Sequence, residues 1–132
     1  MAHILVTDDD ATTRQMISGV LKKKGYKVST ASDGLSALRA IQKNKFDLVL
    51  LDIWMPKLTG LGLLGKLQTE KAIPKIIVMT TDKTSETVLT ALRGRVYQFL
   101  TKPLEADSLL LTVDSALSAE PSAPPIEIIS GK

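Results

Sequence analysis

The sequence predicts an α/β fold: one doubly wound sheet of five parallel strands with helices on both faces. Three observations lead there. Apolar runs of strand length alternate with stretches of helical spacing five times along the chain, and such alternation implies a parallel sheet with right-handed crossovers. One of these runs, LVLL at 48–51, carries no polar residue, as a strand buried on both faces requires. The chain has 132 residues, 44% hydrophobic and 23% charged, which suits one domain of ordinary size. The domain is expected to occupy residues 1–118 and a Pro/Ser-rich linker or loose tail residues 119–132.

The elements follow in order. HILVT at 3–7 is a short apolar strand that runs into Asp8-Asp9-Asp10. Asp10 can cap a helix over 11–24, where Ile17, Val20, Leu21 and Lys24 recur at helical spacing and Gly25 provides a stop. YKVSTA at 26–31 alternates, as an edge strand does, and Ser32-Asp33-Gly34 is a turn. A helix over 35–43 turns Leu35, Leu38 and Ile41 inward. The central strand, 46–52, ends in a single carboxylate, Asp52, and the turn signals Met55-Pro56 and Gly60 follow. A short helix over 60–70 has Leu61, Leu64 and Leu67 on one side, weakened by glycines at 60, 62 and 65. Pro74 precedes the strand KIIVMT, 75–80. Asp82 or Thr84 can cap a helix over 85–93, with Val88, Leu89 and Leu92 as its stripe. VYQFLT at 96–101 is the fifth strand, closed by Lys102-Pro103. The last helix, 105–117, presents Ala106, Leu109, Leu110, Val113 and Leu117 on one face.

Composition narrows the function. The chain has no Cys, so it forms no disulfide and does no thiolate chemistry. No apolar run approaches the length of a membrane span, and MAHILVTDDD has no signal-peptide pattern. These features fit a cytoplasmic protein. The net charge of +3 owes much to Lys22-Lys23-Lys24, a triplet at a helix end, where cations suit the dipole. No helix-turn-helix is left over beyond the five βα units, so no direct nucleic-acid binding by this chain is expected.

Polar residues cluster at the strand ends. Asp8 and Asp9 follow the first strand, and Asp52, Thr80 and Lys102 close the third, fourth and fifth. In a parallel sheet all these ends lie on one side, where open α/β sheets place their chemistry. Carboxylates brought together repel unless a cation joins them. Oxygen donors without His or Cys point to Mg²⁺. With Lys102 as a positive charge and Thr80 as a hydroxyl donor, the set describes a site for a phosphoryl group.

At these residues the chain resembles the receiver domain of two-component response regulators. The pieces are ILVTDD (4–9), LVLLDIWMPKLTG (48–60), IIVMTT (76–81) and FLTKP (99–103), and the likeness spans about residues 3–118. The resemblance implies the flavodoxin-like strand order 2-1-3-4-5, for which the receiver fold is itself a standard example. It implies that Asp52 is the phosphoacceptor, taking its phosphoryl group from a phosphohistidine on a sensor histidine kinase or histidine phosphotransfer protein. It implies Mg²⁺ as cofactor, bound by Asp9, by Asp8 through water, by Asp52 and by the backbone carbonyl of Trp54. Thr80 and Lys102 would grip the phosphoryl oxygens, with the Lys102–Pro103 bond cis. Thr80 and Phe99 would be the switch pair, altering the face formed by the helix at 85–93, the strand at 96–101 and the helix at 105–117.

Two departures from the family pattern stand out. Arg95-Val96-Tyr97 replaces a commoner small pair, and Trp54 is unusually large two residues past the acceptor. Tyr97, two positions from Phe99, is expected on the same side of its strand and could share its role. On this reading the chain is a phosphorylation-dependent switch, catalysing only its own phosphotransfer and slow dephosphorylation. Its output would be a domain beyond residue 132 or a separate partner, and phosphorylation could drive a homodimer. Two rivals are a phosphatase of the haloacid-dehalogenase type and a receiver-shaped module that is never phosphorylated. The first would use Asp8-x-Asp10-x-Thr12 with Asp8 as nucleophile, but leaves Asp52 without a role. The second would be expected to lose acids that are all present here.

Overall fold

The computed structural model describes residues 2–55, 57–67, 74–81, 85–92 and 96–118. Ten elements alternate: β1 (His3–Thr7), α1 (Ala11–Lys23), β2 (Lys27–Ala31), α2 (Gly34–Lys43), β3 (Leu48–Asp52), α3 (Gly60–Leu67), β4 (Lys75–Thr80), α4 (Glu86–Leu92), β5 (Gln98–Thr101) and α5 (Ala106–Ser118). The five strands form one parallel sheet in the order β2-β1-β3-β4-β5. The flavodoxin-like order expected from the resemblance is therefore found. Register brings the carboxyl ends of β1, β3, β4 and β5 level: Thr7 pairs with Leu51, Asp52 with Met79 and Thr80 with Thr101.

The period of two along each strand divides the core. Leu5, Val49, Leu51, Ile76 and Val78 point to one face and pack with Ala37 of α2 and Leu63, Leu64 and Leu67 of α3. Ile4, Val6, Leu48, Leu50, Ile77 and Met79 point to the other and pack with Ile17 and Leu21 of α1 and Leu109, Val113 and Ala116 of α5. All five residues of β3 are buried, as its unbroken apolar run predicts for a central strand. Burying each large aliphatic side chain contributes about 1.5–3 kcal/mol, so the sheet's two faces supply most of the folding drive.

Local signals set the helix ends. The Asp10 side chain accepts from the Thr13 amide at 3.0 Å and caps α1 as predicted. Gly25 takes the left-handed conformation, φ 103°, that lets the chain leave α1 for β2. Asp33, read from sequence as part of a turn, is the N-cap of α2 and accepts from the Ser36 amide at 2.8 Å.

Some expectations move. The most buried residue of α2 is Ala37, with Leu38 and Ile41 only partly buried beside it. A small residue lets the helix backbone approach the sheet. On α5, Leu109 and Val113 are buried as expected, but Ala106 is exposed, Leu110 and Leu117 are only partly buried, and Ala116, which was not expected to face inward, is buried. β5 begins at Gln98 rather than at 96. Tyr97 therefore precedes the strand and packs with the α1/α5 cluster, whereas Phe99 packs with the other; the expected shared side is not observed. The predicted caps Asp82 and Thr84, Pro56, Arg95 and the tail from 119 lie outside the described residues, and the side chains of Leu61, Val88 and Leu92 are likewise undescribed.

Candidate functional site

The site is assembled by backbone continuity from four strand ends. Asp8 leaves β1 still paired to β2, its amide donating to the Ala31 carbonyl at 3.2 Å. Its carboxylate is completely buried and accepts from the Asp10 amide at 2.9 Å. Arg14 of α1 donates to the Asp8 carbonyl at 2.7 Å, so Asp8 is held on all sides. Asp9 beside it is exposed. Asp52 ends β3, is 6% exposed, and accepts from the Trp54 amide at 3.2 Å.

Lys102 joins the two buried acids. Its amide donates to the Thr80 carbonyl at 2.6 Å, which extends the β4–β5 pairing and fixes where the side chain starts. Its ammonium lies 2.7 Å from Asp8 Oδ2 and 3.4 Å from Asp52 Oδ2. Both carboxylates therefore hold the charge that the sequence placed at this strand end. The Lys102–Pro103 bond is cis, as the resemblance implied. Thr80 is buried, and among the described residues its hydroxyl makes one long contact, 3.5 Å, to the Leu100 carbonyl. Such a bond is weak and easily exchanged for a better acceptor.

Burial, and then the charge of Asp8, push the Asp52 carboxyl up to about 6, against the opposing pull of Lys102. Burial works against the Lys102 charge, but Asp8 and Asp52 more than offset it and raise its pKa. Carboxylate oxygens of Asp8, Asp9 and Asp52 lie within 4.8 Å of one another. Three carboxylates against one ammonium leave two negative charges uncompensated among these four side chains. The donors are all hard oxygens. That combination fits a divalent cation such as Mg²⁺.

The structure thus brings together Asp8, Asp9, Asp52 and Lys102, with the Trp54 amide on Asp52 and Thr80 closing the neighbouring strand. Phe99 lies one strand further out, paired with Val78 and partly buried against the α2/α3-side core. Trp54 projects outward, half exposed. Arg14 was missed from sequence because an arginine on the first turn of a helix carries no signal of which carbonyl it will reach.

Comparison with known proteins agrees with the geometry. Residues 4–114 match the family model of the response regulator receiver domain. The transcriptional regulatory protein ZraR of Klebsiella oxytoca is 36% identical over 115 residues, covering 87% of this chain and 26% of that protein. The receiver domain of NtrX from Brucella abortus superposes with a TM-score of 0.80 at 35% identity, covering 89% of this chain and 99% of that one. Chemotaxis response regulator CheY4 of Vibrio cholerae matches with a TM-score of 0.80 at 33% identity, over 89% and 99% of the two chains. The chain belongs to the response regulator receiver domain family of two-component signal transduction. It spans about a quarter of the length of the curated relatives it matches. The haloacid-dehalogenase reading falls with this assignment. Among the described residues no helix is long and apolar enough to cross a membrane.

Proposed function

We propose that Asp52 is the phosphoacceptor of a cytoplasmic signalling switch, taking a phosphoryl group from a phosphohistidine on a sensor histidine kinase or histidine phosphotransfer protein. The observation that carries this reading is the Lys102 ammonium held between the buried carboxylates of Asp8 and Asp52. An Asp52 oxygen attacks phosphorus, the phosphorus–nitrogen bond breaks, and its electron pair leaves with the imidazole. Asp8, Asp9, Asp52 and the Trp54 carbonyl are the oxygens proposed to hold Mg²⁺, which when bound offsets the charge gathering on the phosphoryl oxygens. Lys102 is already within reach of Asp52 and needs little movement to meet a phosphoryl oxygen. Thr80 can give up its long contact to Leu100 and donate instead. Asp8 is a less suitable nucleophile than Asp52: it is fully buried and its ion pair with Lys102 is the shorter of the two, 2.7 Å against 3.4 Å.

The switch reading extends from the same residues. Movement of Thr80 toward the phosphoryl group opens space beside β4, and Phe99 follows, altering α4, β5 and α5. Residues 1–118 are taken as the domain and 119–132 as the link to an output domain or a free end. A phosphorylation-dependent homodimer is one means by which that face would act. Beyond this transfer and slow dephosphorylation, no turnover of a separate substrate is proposed.

Intact mass after incubation with acetyl phosphate tests the proposal, with and without Mg²⁺, on wild type and Asp52→Asn. One Mg²⁺-dependent phosphoryl adduct, lost in Asp52→Asn, is expected. An adduct that persists in Asp52→Asn but disappears in Asp8→Asn would move the nucleophile to β1. No adduct under any condition would leave a module that signals by binding alone.

A further inference from the structure

The junction of β2 and α2, from Ala31 to Gly34, touches both arms of the acidic site, although it contributes no acid to it. On one side the Ala31 carbonyl accepts the Asp8 amide at 3.2 Å. On the other, Gly34 receives the loop that follows Asp52. A Cβ at Gly34 would lie 1.9 Å from the Leu58 carbonyl oxygen and 2.5 Å from Leu58 Cβ. The nearest atom is backbone, so a rotamer change cannot relieve the collision. The loop is pinned elsewhere as well. Lys57 adopts φ 71°, a left-handed conformation unusual for lysine, and its ammonium faces the Asp33 carboxylate at 3.9 Å. The Gly60 amide donates to the Ile53 carbonyl at 2.7 Å, and a Cβ at Gly60 would meet Ile53 Cα at 2.8 Å. The Leu58 side chain sits where a Cβ on Gly62 would come within 2.7 Å of it.

We infer that Asp33 and Gly34 form a positioning bracket that sets the separation of Asp8 from Asp52 and the placement of the Trp54 backbone. Gly34 is the critical member, because only a residue without Cβ lets the Leu58 carbonyl rest on the start of α2. The Asp33 carboxylate serves twice, capping α2 through the Ser36 amide and tethering Lys57. Since the end of β2 just before this bracket holds Asp8 by the Ala31 carbonyl, a shift of the loop against α2 changes the gap that the cation and phosphoryl group must fill. This inference rests on the reading of Asp52 as a Mg²⁺-dependent phosphoacceptor.

The test follows the emission of Trp54, the chain's single tryptophan, during titration with Mg²⁺. Thermal melting and the rate of adduct formation with acetyl phosphate are measured alongside. Gly34→Ala is expected to melt cooperatively, to bind Mg²⁺ at least about fivefold more weakly, and to take the adduct roughly ten- to a hundredfold more slowly, since displacements near 1 Å have effects of that size. Gly19→Ala is the control: a Cβ there meets nothing within 4 Å, and neither readout should move. A folded Gly34→Ala with both readouts within twofold of wild type overturns the bracket. If Gly34→Ala does not fold, Lys57→Gly decides, since it loosens the loop while leaving the glycine seat intact. Mg²⁺ binding weakened about two- to fivefold at unchanged melting temperature supports the bracket, and unchanged binding refutes it. A wild type that neither responds to Mg²⁺ nor takes an adduct overturns the reading of the site itself.

Discussion

Asp52 is where burial and charge oppose each other most directly. In the folded chain its carboxyl protonates at about 6, against 3.8 for the unperturbed group. The folded state therefore holds the proton more tightly than the unfolded one. Without metal, this group's contribution to stability falls as pH rises between these values, and the penalty is complete above about 6. Its ceiling is about 3 kcal/mol. In urea titrations of metal-free protein, Asp52→Asn should exceed wild type in stability by about 1–3 kcal/mol at neutral pH. The gap should narrow toward pH 4 and also on adding Mg²⁺. A gap that does not vary with pH would remove burial as the cause. Trp54 allows a second test at this scale. Its amide is bonded to Asp52 and its bulky side chain is half exposed, so it is expected to shield the acyl phosphate from water. Trp54→Asn should speed dephosphorylation of the adduct by at least about threefold; an unchanged rate shows that the ring does not shield it.

At the scale of elements, α5 is anchored along its C-terminal half by side chains from other segments. Tyr26, where the chain enters β2, hydrogen-bonds the Asp114 carboxylate, and that bond first, then burial, pushes the Tyr26 hydroxyl up to about 12. Lys24 pairs with the same carboxylate at 3.7 Å, an exposed contact of little worth. From the other side Lys75 of β4 donates to the Ala116 carbonyl at 2.7 Å and lies over the Tyr97 ring. A lysine on a last-turn carbonyl meets both an unpaired acceptor and the negative end of the helix dipole. Tyr97 thus belongs with the anchoring of α5 and stands apart from Phe99. Tyr26→Phe removes one charge-assisted bond in a half-exposed setting, so a loss of about 1 kcal/mol is expected, read as a melting temperature lower by roughly 3–6 °C. No change in melting would mean that Tyr26 contributes only its ring to the packing.

For the molecule as a whole, the sheet separates two jobs. Its carboxyl edge carries the acids and Lys102, while its two faces carry the helices through which a signal would leave. Thr80 lies between the two, buried at the end of β4 with a weakly engaged hydroxyl. Thr80→Ala should still accept the phosphoryl group on Asp52, because the proposed acceptor and Lys102 are untouched. It should lose the change in amide hydrogen exchange that wild type is predicted to show over β5 and the start of α5 on phosphorylation. If exchange changes equally in both proteins, the signal does not pass through Thr80. The quantity at stake is differential: a phosphoryl group shifts the population only as far as it binds one state better than the other.

The fold, and the meeting of Asp8, Asp9, Asp52 and Lys102 on one edge, were legible in the amino-acid sequence. The buried run at 48–51 demanded a central parallel strand, and acids, threonine and lysine at successive strand ends had to meet on one edge, because parallel strands all point the same way. Asp10 and Gly25 announced the ends of α1 through chemistry confined to one turn. What only the tertiary structure decided were relations between segments distant in sequence. Nothing near residue 34 says that its missing Cβ makes room for the Leu58 carbonyl. Nothing near Arg14 says that its guanidinium will find the Asp8 carbonyl. The side of the sheet taken by Tyr97 depended on where β5 begins, which is set by pairing with β4. Periodicity and capping are written in neighbouring residues, whereas close approach and burial depend on which surface the whole chain happens to bring opposite each residue.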